Sequence, residues 1–372
     1  MSVSITENTR FLQMAIVKSI LLNFFSGASA ALALLMVAVA YSDRLDPANH
    51  SILACTGMLF PFFLVANLIV FMLWLMIKWK RAWVPLLAFL VSYPAIRIYM
   101  PLHLTQELPQ GTIKVLSYNV ACYSMDKIVD HPKDSVISYL RQQNADIVCL
   151  QEDVMPSGSL ADYLDMYPYH DTVHVNNRSY PIINALGIHT RYPIIRKERI
   201  KYYSMANGTV AYFLQIGADT VIVVNNHLET THLTKDDRQR YKEMISGDMT
   251  HQDAKAETQR LLGKLSMAMM LRAAQARTVH QYVETHSHYP IIVCGDFNDT
   301  PISYVRRTMA QDLTDCYVES GNGLGISFKQ KGFYFRIDQM MCSSHFAPYN
   351  CYVDNQVKAS DHYPIICWLK RN

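Results

Sequence analysis

The stretch IIVCGDFNDTP, residues 291–301, decides how this chain is read. Residues 291–294 form an apolar run of strand length, and Gly295 ends it. A carboxylate, Asp296, and an amide, Asn298, follow two positions apart. Gly, Asp and Asn all suit tight bends, so one such stretch alone announces only a turn. What matters is whether other strands end in the same way.

They do. IKVLSYN (113–119) ends on Asn119, ADIVCLQE (145–152) on Glu152, and TVIVVNNHLE (220–229) carries His227 near its end. Two later runs reverse the order: Asp338 opens DQMMC (338–342), and Asp361 and His362 stand directly before YPIICWL (363–369). For all these groups to meet, the last two strands must run antiparallel to the first four, so that one strand's start lies beside another's end. The pattern predicts a mixed sheet, or two packed sheets, with a single polar rim. Turns account for one acid, not for six strands that deliver polar groups to their ends.

The inventory suits a hard divalent cation. Glu152, Asp361 and Asn119, with Asp296 as a further oxygen donor, match Mg²⁺, with Mn²⁺ as the alternative, because both accept water and substrate phosphate as remaining ligands. Zinc would prefer closely set His and Cys, a spacing this sequence lacks. Two histidines add proton transfer and anion stabilisation. Metal, carboxylates, amides and imidazoles together make a toolkit for hydrolysing a phosphoester. Asp338 has a bland alternative as an ion-pair partner of Arg336, and His227 one as a core histidine.

The ordered set LSYN, DIVCLQE, TRYPI, NNHLE, GDFN, RIDQ and SDHYPI, between residues 112 and 370, resembles the endonuclease/exonuclease/phosphatase superfamily, in a membrane-anchored, bacterial-type form. That superfamily includes DNase I-like nucleases, apurinic-site endonucleases, sphingomyelinases and inositol-polyphosphate 5-phosphatases. The resemblance implies an α/β fold, a four-layered α/β sandwich (DNase I-like) with its site at one end of the packed sheets. It also implies Glu152 as main metal ligand with Asn119 beside it and Asp361 helping. Asp296 and Asn298 would position the attacking water and hold the phosphate, His227 would contact the phosphate, and Asp338 would orient His362. Ala121 stands where some nuclease members carry an acid, so a second metal-binding group is missing there. His227 is closer to the DNase, sphingomyelinase and phosphatase branches than to apurinic endonucleases.

The first hundred residues are of another kind. Residues 20–41 and 52–77 contain no charge, and each is long enough to cross about 30 Å of hydrocarbon. A third run, 82–99, is shorter and carries Pro85 and Pro94; it either spans or dips in and returns. AVA at 38–40 resembles a signal-peptidase site, but the apolar runs that follow favour an uncleaved anchor. The expected organisation is a bundle of about three transmembrane helices over 1–100, a linker at 101–111, and a catalytic domain over 112–372. KWKR at 78–81 places that loop in the cytoplasm. If the third run spans, the catalytic domain is extracytoplasmic, the side expected for this inner- or plasma-membrane protein.

The chain has 34 Lys+Arg and 31 Asp+Glu; residues 1–110 hold seven and four of these, leaving 27 of each beyond. A formally neutral domain argues against a general polyanion binder, since phosphate neutralisation usually demands a basic excess. The expected partner is therefore a phosphate-ester substrate, a lipid head group before a nucleic acid, with the bilayer held by the N-terminal helices. The eight cysteines show no metal spacing and no disulfide framework, and Cys149 and Cys294 read as small core residues. Residues 231–258 form a charged excursion, open as a lid, a membrane-facing flap or a solvated loop. His170, His189 and His232 are expected to be surface or structural. Residues 300–309 predict a helix capped by Thr300 with Pro301 at its first position.

Overall fold

The computed structural model describes residues 2–124, 131–155, 158–175, 184–231, 233–330 and 333–372. Their contacts divide into two compact units, Met1–Ser42 with Thr56–Ile96, and Asp43–Cys55 with Arg97–Asn372.

The second unit holds fourteen strands among the described residues. In chain order they are β1 (Thr112–Asn119), β2 (Ile147–Gln151), β3 (Tyr169–His174), β4 (Ala185–Thr190), β5 (Ile194–Ile200), β6 (Gly208–Ile216) and β7 (Asp219–His227). There follow β8 (Ile291–Asp296), β9 (Thr314–Asp315), β10 (Phe328–Gln330), β11 (Phe333–Phe335), β12 (Asp338–Cys342), β13 (Phe346–Val353) and β14 (Ile365–Arg371). One sheet has the order β13-β14-β1-β2-β4-β3 and the other β5-β6-β7-β8-β12-β9, while β10 and β11 form a separate hairpin.

Each sheet has one parallel pair among antiparallel neighbours. In the first it is β1 with β2, joined by a crossover containing the helix Pro132–Gln143. In the second it is β7 with β8, joined across the helices Lys235–Ser246 and His251–Thr285. A parallel pair needs such a crossover, and it brings both strands to finish at the same edge. β14 then runs antiparallel to β1, and β12 antiparallel to β8, with Asp338 opposite Asp296. The predicted rim follows from these four pairings.

Period-two alternation builds the layers. Val115, Cys149, Val223, Cys294, Met340 and Cys367 point into the core between the sheets. Their neighbours Leu116, Val148, Leu150 and Ile366 point outward to Val136, Ile137 and Leu140 of the first crossover helix. On the other face Ile222, Val224, Val293 and Met341 meet Ala276, Val279 and Val283 of the long helix. The four layers of the sandwich are thus helix, sheet, sheet, helix. All eight cysteines are free, and Cys149 and Cys294 are buried as expected.

One local expectation fails, and one left open takes shape. The helix after GDFN is Tyr304–Met309, capped by Ser303 through Arg306 N at 3.2 Å, not by Thr300. Thr300 is buried, and its N–H donates to Asp299, which keeps the chain in a turn for three more residues. The charged excursion is mostly helical. Thr234 and Asp237 form a reciprocal cap, and Lys264 meets Asp237 at 2.7 Å, fastening the shorter helix to the longer one. His232 lies outside the described residues.

The first unit contains the helix Ser2–Ala40, the helix Phe60–Lys78, and the third apolar run as two pieces, Trp83–Val91 and the start of Tyr93–Tyr99, broken at Ser92. Gln13–Arg44 and Pro47–Arg81 are the two stretches, among the described residues, long and apolar enough to cross a membrane. Polar side chains join the helices: Trp74 Nε1 donates to buried Ser29 Oγ at 3.2 Å, and nearer the surface Arg81 donates to Leu22 O at 2.7 Å and Asn23 Oδ1 at 2.9 Å. Phe24, Leu34 and Met76 face outward.

Candidate functional site

The rim gathers side chains from both sheets. Asn119, at the end of β1, donates from Nδ2 to Asp296 Oδ2 at 3.1 Å and to Glu152 Oε1 at 3.3 Å. His227 Nε2 lies 3.6 Å from Asp296 Oδ2 and 3.9 Å from Glu152 Oε1. His362 Nε2 lies 3.7 Å from the same Asp296 oxygen, and its Nδ1 donates to Asp338 Oδ2 at 2.9 Å. Asp296 Oδ1 accepts from Asn298 N at 2.8 Å, while Asn298 Nδ2 donates to Leu228 O at 3.0 Å. Asp296 is therefore the hub, and Asp338 turns toward His362 rather than Arg336. Arg336 instead donates to the carbonyls of Leu324 and Ile98 at 2.9 and 2.5 Å.

Asp361 stands slightly apart. Its Oδ2 accepts from Gln330 Nε2 at 2.6 Å, and it acts on Glu152 through charge alone. Asp296, Asp338, Asn119 and His227 are buried; the Glu152 side chain keeps 33% of its surface exposed. The site is thus a floor of buried groups with Glu152 at its mouth.

Electrostatics separates the two imidazoles. Burial lowers His227, and the Asp296 charge only partly opposes it. Burial also works against charge on His362, but Asp338 and Asp296 outweigh it and hold that imidazole well above its ordinary range. Burial raises both Glu152 and Asp296, with His362 opposing in each case. Among the described residues, no Lys or Arg pairs with Glu152, Asp296 or Asp361. Ligand atoms of Asp296, Asp338 and His362 lie within 4.8 Å of one another, a spacing that can hold a metal ion, and Asp338 Oδ1 is buried and, among the described residues, without a partner.

The backbone is strained where these groups emerge. Glu152 and Asn298 have φ of 54° and 52°, and Ala121, Cys122 and Tyr123 form a left-handed run at 47°, 53° and 54°. Non-glycine residues rarely adopt this region, and such strain clusters at functional sites. Gly295 is required by space: at φ +130°, a Cβ would lie 2.0 Å from Asn226 O.

Several supporting residues escaped the sequence reading. Ser360 Oγ donates to Asn119 O at 2.7 Å and accepts from His362 N at 3.1 Å, tying the end of β1 to the start of β14. Asn225 accepts from Gln151 at 2.7 Å and donates to Leu150 O and Gly187 O at 3.0 Å each, bolting the two sheets together below the rim. Asn184 and Asn207 back His227. Ser360 sits inside the SDH motif, the one signal that pointed to it. The asparagines look like turn residues or strand punctuation in sequence. His170 and His189 stack on each other at 6.0 Å at the opposite end of β3 and β4 from the rim, in keeping with a structural place.

A family model described as a domain of unknown function (DUF8431) matches residues 21–99. No curated protein matches the chain. Among solved structures, the human Nocturnin catalytic domain with bound sulfate is 15% identical, with TM-score 0.50 over 72% of this chain and 96% of that one. A Bacteroides thetaiotaomicron endonuclease/exonuclease/phosphatase family protein is also 15% identical, with TM-score 0.50 over 69% and 94%. A functionally unknown conserved protein from Enterococcus faecalis V583 is 14% identical, with TM-score 0.50 over 70% and 100%. At such identities the likeness shows a shared fold. The model of the Endonuclease/Exonuclease/phosphatase family matches residues 116–362, most of the chain and all of the rim, and the chain belongs to that family.

Proposed function

We propose that this family member, one of a group of phosphoester hydrolases, is a membrane-anchored, Mg²⁺-dependent phosphodiesterase acting on lipids or phosphorylated head groups. The observation that carries the reading is the convergence of Asn119, Glu152, His227, Asp296, Asp338 and His362 from two sheets onto one rim.

Glu152, with Asn119 beside it and Asp361 near, would hold the cation. When bound, it supplies neutralising charge to the phosphoryl oxygens. Asp296, which accepts from Asn298 N and Asn119 Nδ2, would orient a water for attack. Asn298, its amide anchored on Leu228 O, and His227 would hold the phosphate. His362, charged under the influence of Asp338, would stabilise the negative oxygens or return a proton to the leaving oxygen.

The course of the chain supports an extracytoplasmic domain. Asp43–Cys55, between the first two apolar runs, folds into the same unit as the sandwich. Asp46 meets Arg277 at 3.2 Å, and Cys55 Sγ lies 3.0 Å from Met269 Sδ. Residues 56–96 thus leave that unit and return to it. If residues 60–78 cross the bilayer, the third run must cross back. With KWKR in the cytoplasm, the sandwich lies outside. Tethering there raises the effective concentration of membrane substrates.

The test uses the full chain in proteoliposomes with Mg²⁺, offered a phosphodiester lipid, DNA and an inositol polyphosphate. Lipid cleavage lost in Glu152→Ala and His362→Ala is the expected result. Cleavage of DNA alone would favour an extracytoplasmic nuclease instead. No turnover of any substrate would leave a binding module. Protease digestion of intact cells tests the side: only an external sandwich is cut.

A further inference from the structure

His227 and His362 face the same Asp296 oxygen, at 3.6 and 3.7 Å, yet their far nitrogens are wired in opposite senses. His362 Nδ1 faces a carboxylate, which only accepts, so it carries a hydrogen. His227 Nδ1 faces Asn184 Nδ2 at 3.1 Å. Which end of that amide meets the ring is settled by a fixed point elsewhere. The Leu228 carbonyl can only accept, and Asn207 Nδ2 donates to it at 2.7 Å. This turns Asn207 Oδ1 toward Asn184, at 2.9 Å. Only an amide nitrogen can donate both to that oxygen and to the ring. Asn184, Asn207 and His227 are 4%, 3% and 3% exposed, so no bulk water competes for these positions.

We propose that Asn184, aimed by Asn207, is a positioning residue that holds His227 as the tautomer with its hydrogen on Nε2, making it a neutral N–H donor into the site. A hydrogen on Nδ1 would set two donors face to face at 3.1 Å in a buried place. A protonated ring would meet the same clash. The backbone carbonyl of Leu228 thus dictates, through two asparagines, the chemistry of the residue before it. The pair of histidines then divides the work. His362 spends its Nδ1 hydrogen on Asp338, whereas His227 presents its hydrogen from Nε2. That the acceptor is a phosphoryl oxygen rests on the hydrolase reading; the wiring does not.

The test reads the tautomer directly. In full-length protein labelled with ¹⁵N-histidine in detergent micelles, the His227 signals are identified by their loss in His227→Gln. Two-bond couplings to the ring protons tell Nδ1 from Nε2. Nδ1 should appear as an unprotonated nitrogen and Nε2 as a protonated one, and Asn184→Ala and Asn207→Ala should both shift the pair toward a mixture. A protonated Nδ1 in the unaltered protein overturns the proposal. In kinetics on bis(4-nitrophenyl) phosphate with Mg²⁺, Asn184→Ala should lower kcat roughly ten- to a hundredfold with little change in KM. Asn184→Asp, whose carboxylate only accepts, should move the hydrogen to Nδ1 and recover none of that loss. Added to His227→Gln, the Asn184 change should cost nothing more; additive losses would mean a structural role and sink the idea. If the unaltered protein hydrolyses no phosphoester, the hydrolase reading falls and the spectrum alone decides the wiring.

Discussion

The two units of this protein differ in what they turn to their surroundings. The first buries Ser29, Asn67 and Trp74 and turns Phe24, Leu34 and Met76, at 77%, 71% and 84% exposure, to its surroundings. The second buries an apolar core between two sheets and carries its polar groups to a rim. In the first, side-chain hydrogen bonds such as Trp74 Nε1 to Ser29 Oγ link one helix to another. The other is held by removing apolar surface from water. A polar atom therefore does different work in each: glue in the first, chemistry or sheet-bolting in the second.

The sharpest break in that contrast would come at the rim. Glu152→Ala or His362→Ala should reduce phosphodiester turnover on the order of a thousandfold while leaving the thermal transition of the second unit in place. Loss of folding instead of rate would make those groups structural.

Next in size is Gly295→Ala. The new Cβ would overlap Asn226 O at a φ that L-residues avoid, so a cost of at least about 3 kcal/mol is expected in denaturant unfolding.

A matched pair sharpens the comparison further. Asn225→Leu strips Gln151, Leu150 and Gly187 of a buried partner and should cost roughly 3 kcal/mol in the second unit. Asn67→Leu removes bonds to Leu32 O and Phe63 O at 3.3 and 2.9 Å, and should cost about 1 kcal/mol or less in the first unit, followed by helix loss in a denaturing detergent titration. Equal costs would erase the distinction drawn between the units.

The smallest effect at neutral pH is at His189. Burial, with His170 stacked beside it, pulls its pKa from 6.5 down to about 3. As pH falls through that window, the unfolded chain takes up a proton that the folded one refuses. Stability then drops, by up to roughly 1.4 kcal/mol per pH unit. Among the described residues neither ring nitrogen has a partner, so His189→Phe should be near neutral at pH 7 and should flatten the acid limb of the stability curve. An unchanged acid limb would show that the ring charges in the fold.

The contrast also explains what could be read early. The apolar runs of the first unit are visible because a membrane-length stretch without charge is a one-dimensional signal. The strands of the second are visible because alternation and punctuation are local too. Asp296 and His362 stood out because each ends or begins such a run. Asn184, Asn207 and Asn225 did not, since a buried asparagine reads the same as a turn asparagine until its neighbours are known. The helix start after GDFN was misplaced because Thr300 and Pro301 form a sound local cap signal, overridden once Thr300 was buried against Asp299.

By itself the sequence determined the six strands that carry the rim, the set of oxygen and imidazole groups at their ends, and the division into an apolar N-terminal part and a neutral α/β part, but not β3, β6, β9, β10, β11 or β13. All of these depend on interactions within a few residues along the chain. Only the tertiary structure decided that Asp296 is the hub between two histidines, that Asp338 belongs to His362, that the two imidazoles have opposite wiring, and that Asp43–Cys55 folds with the sandwich. Those facts depend on which groups from distant strands share a buried volume, where the direction of each hydrogen bond is set by partners remote in sequence.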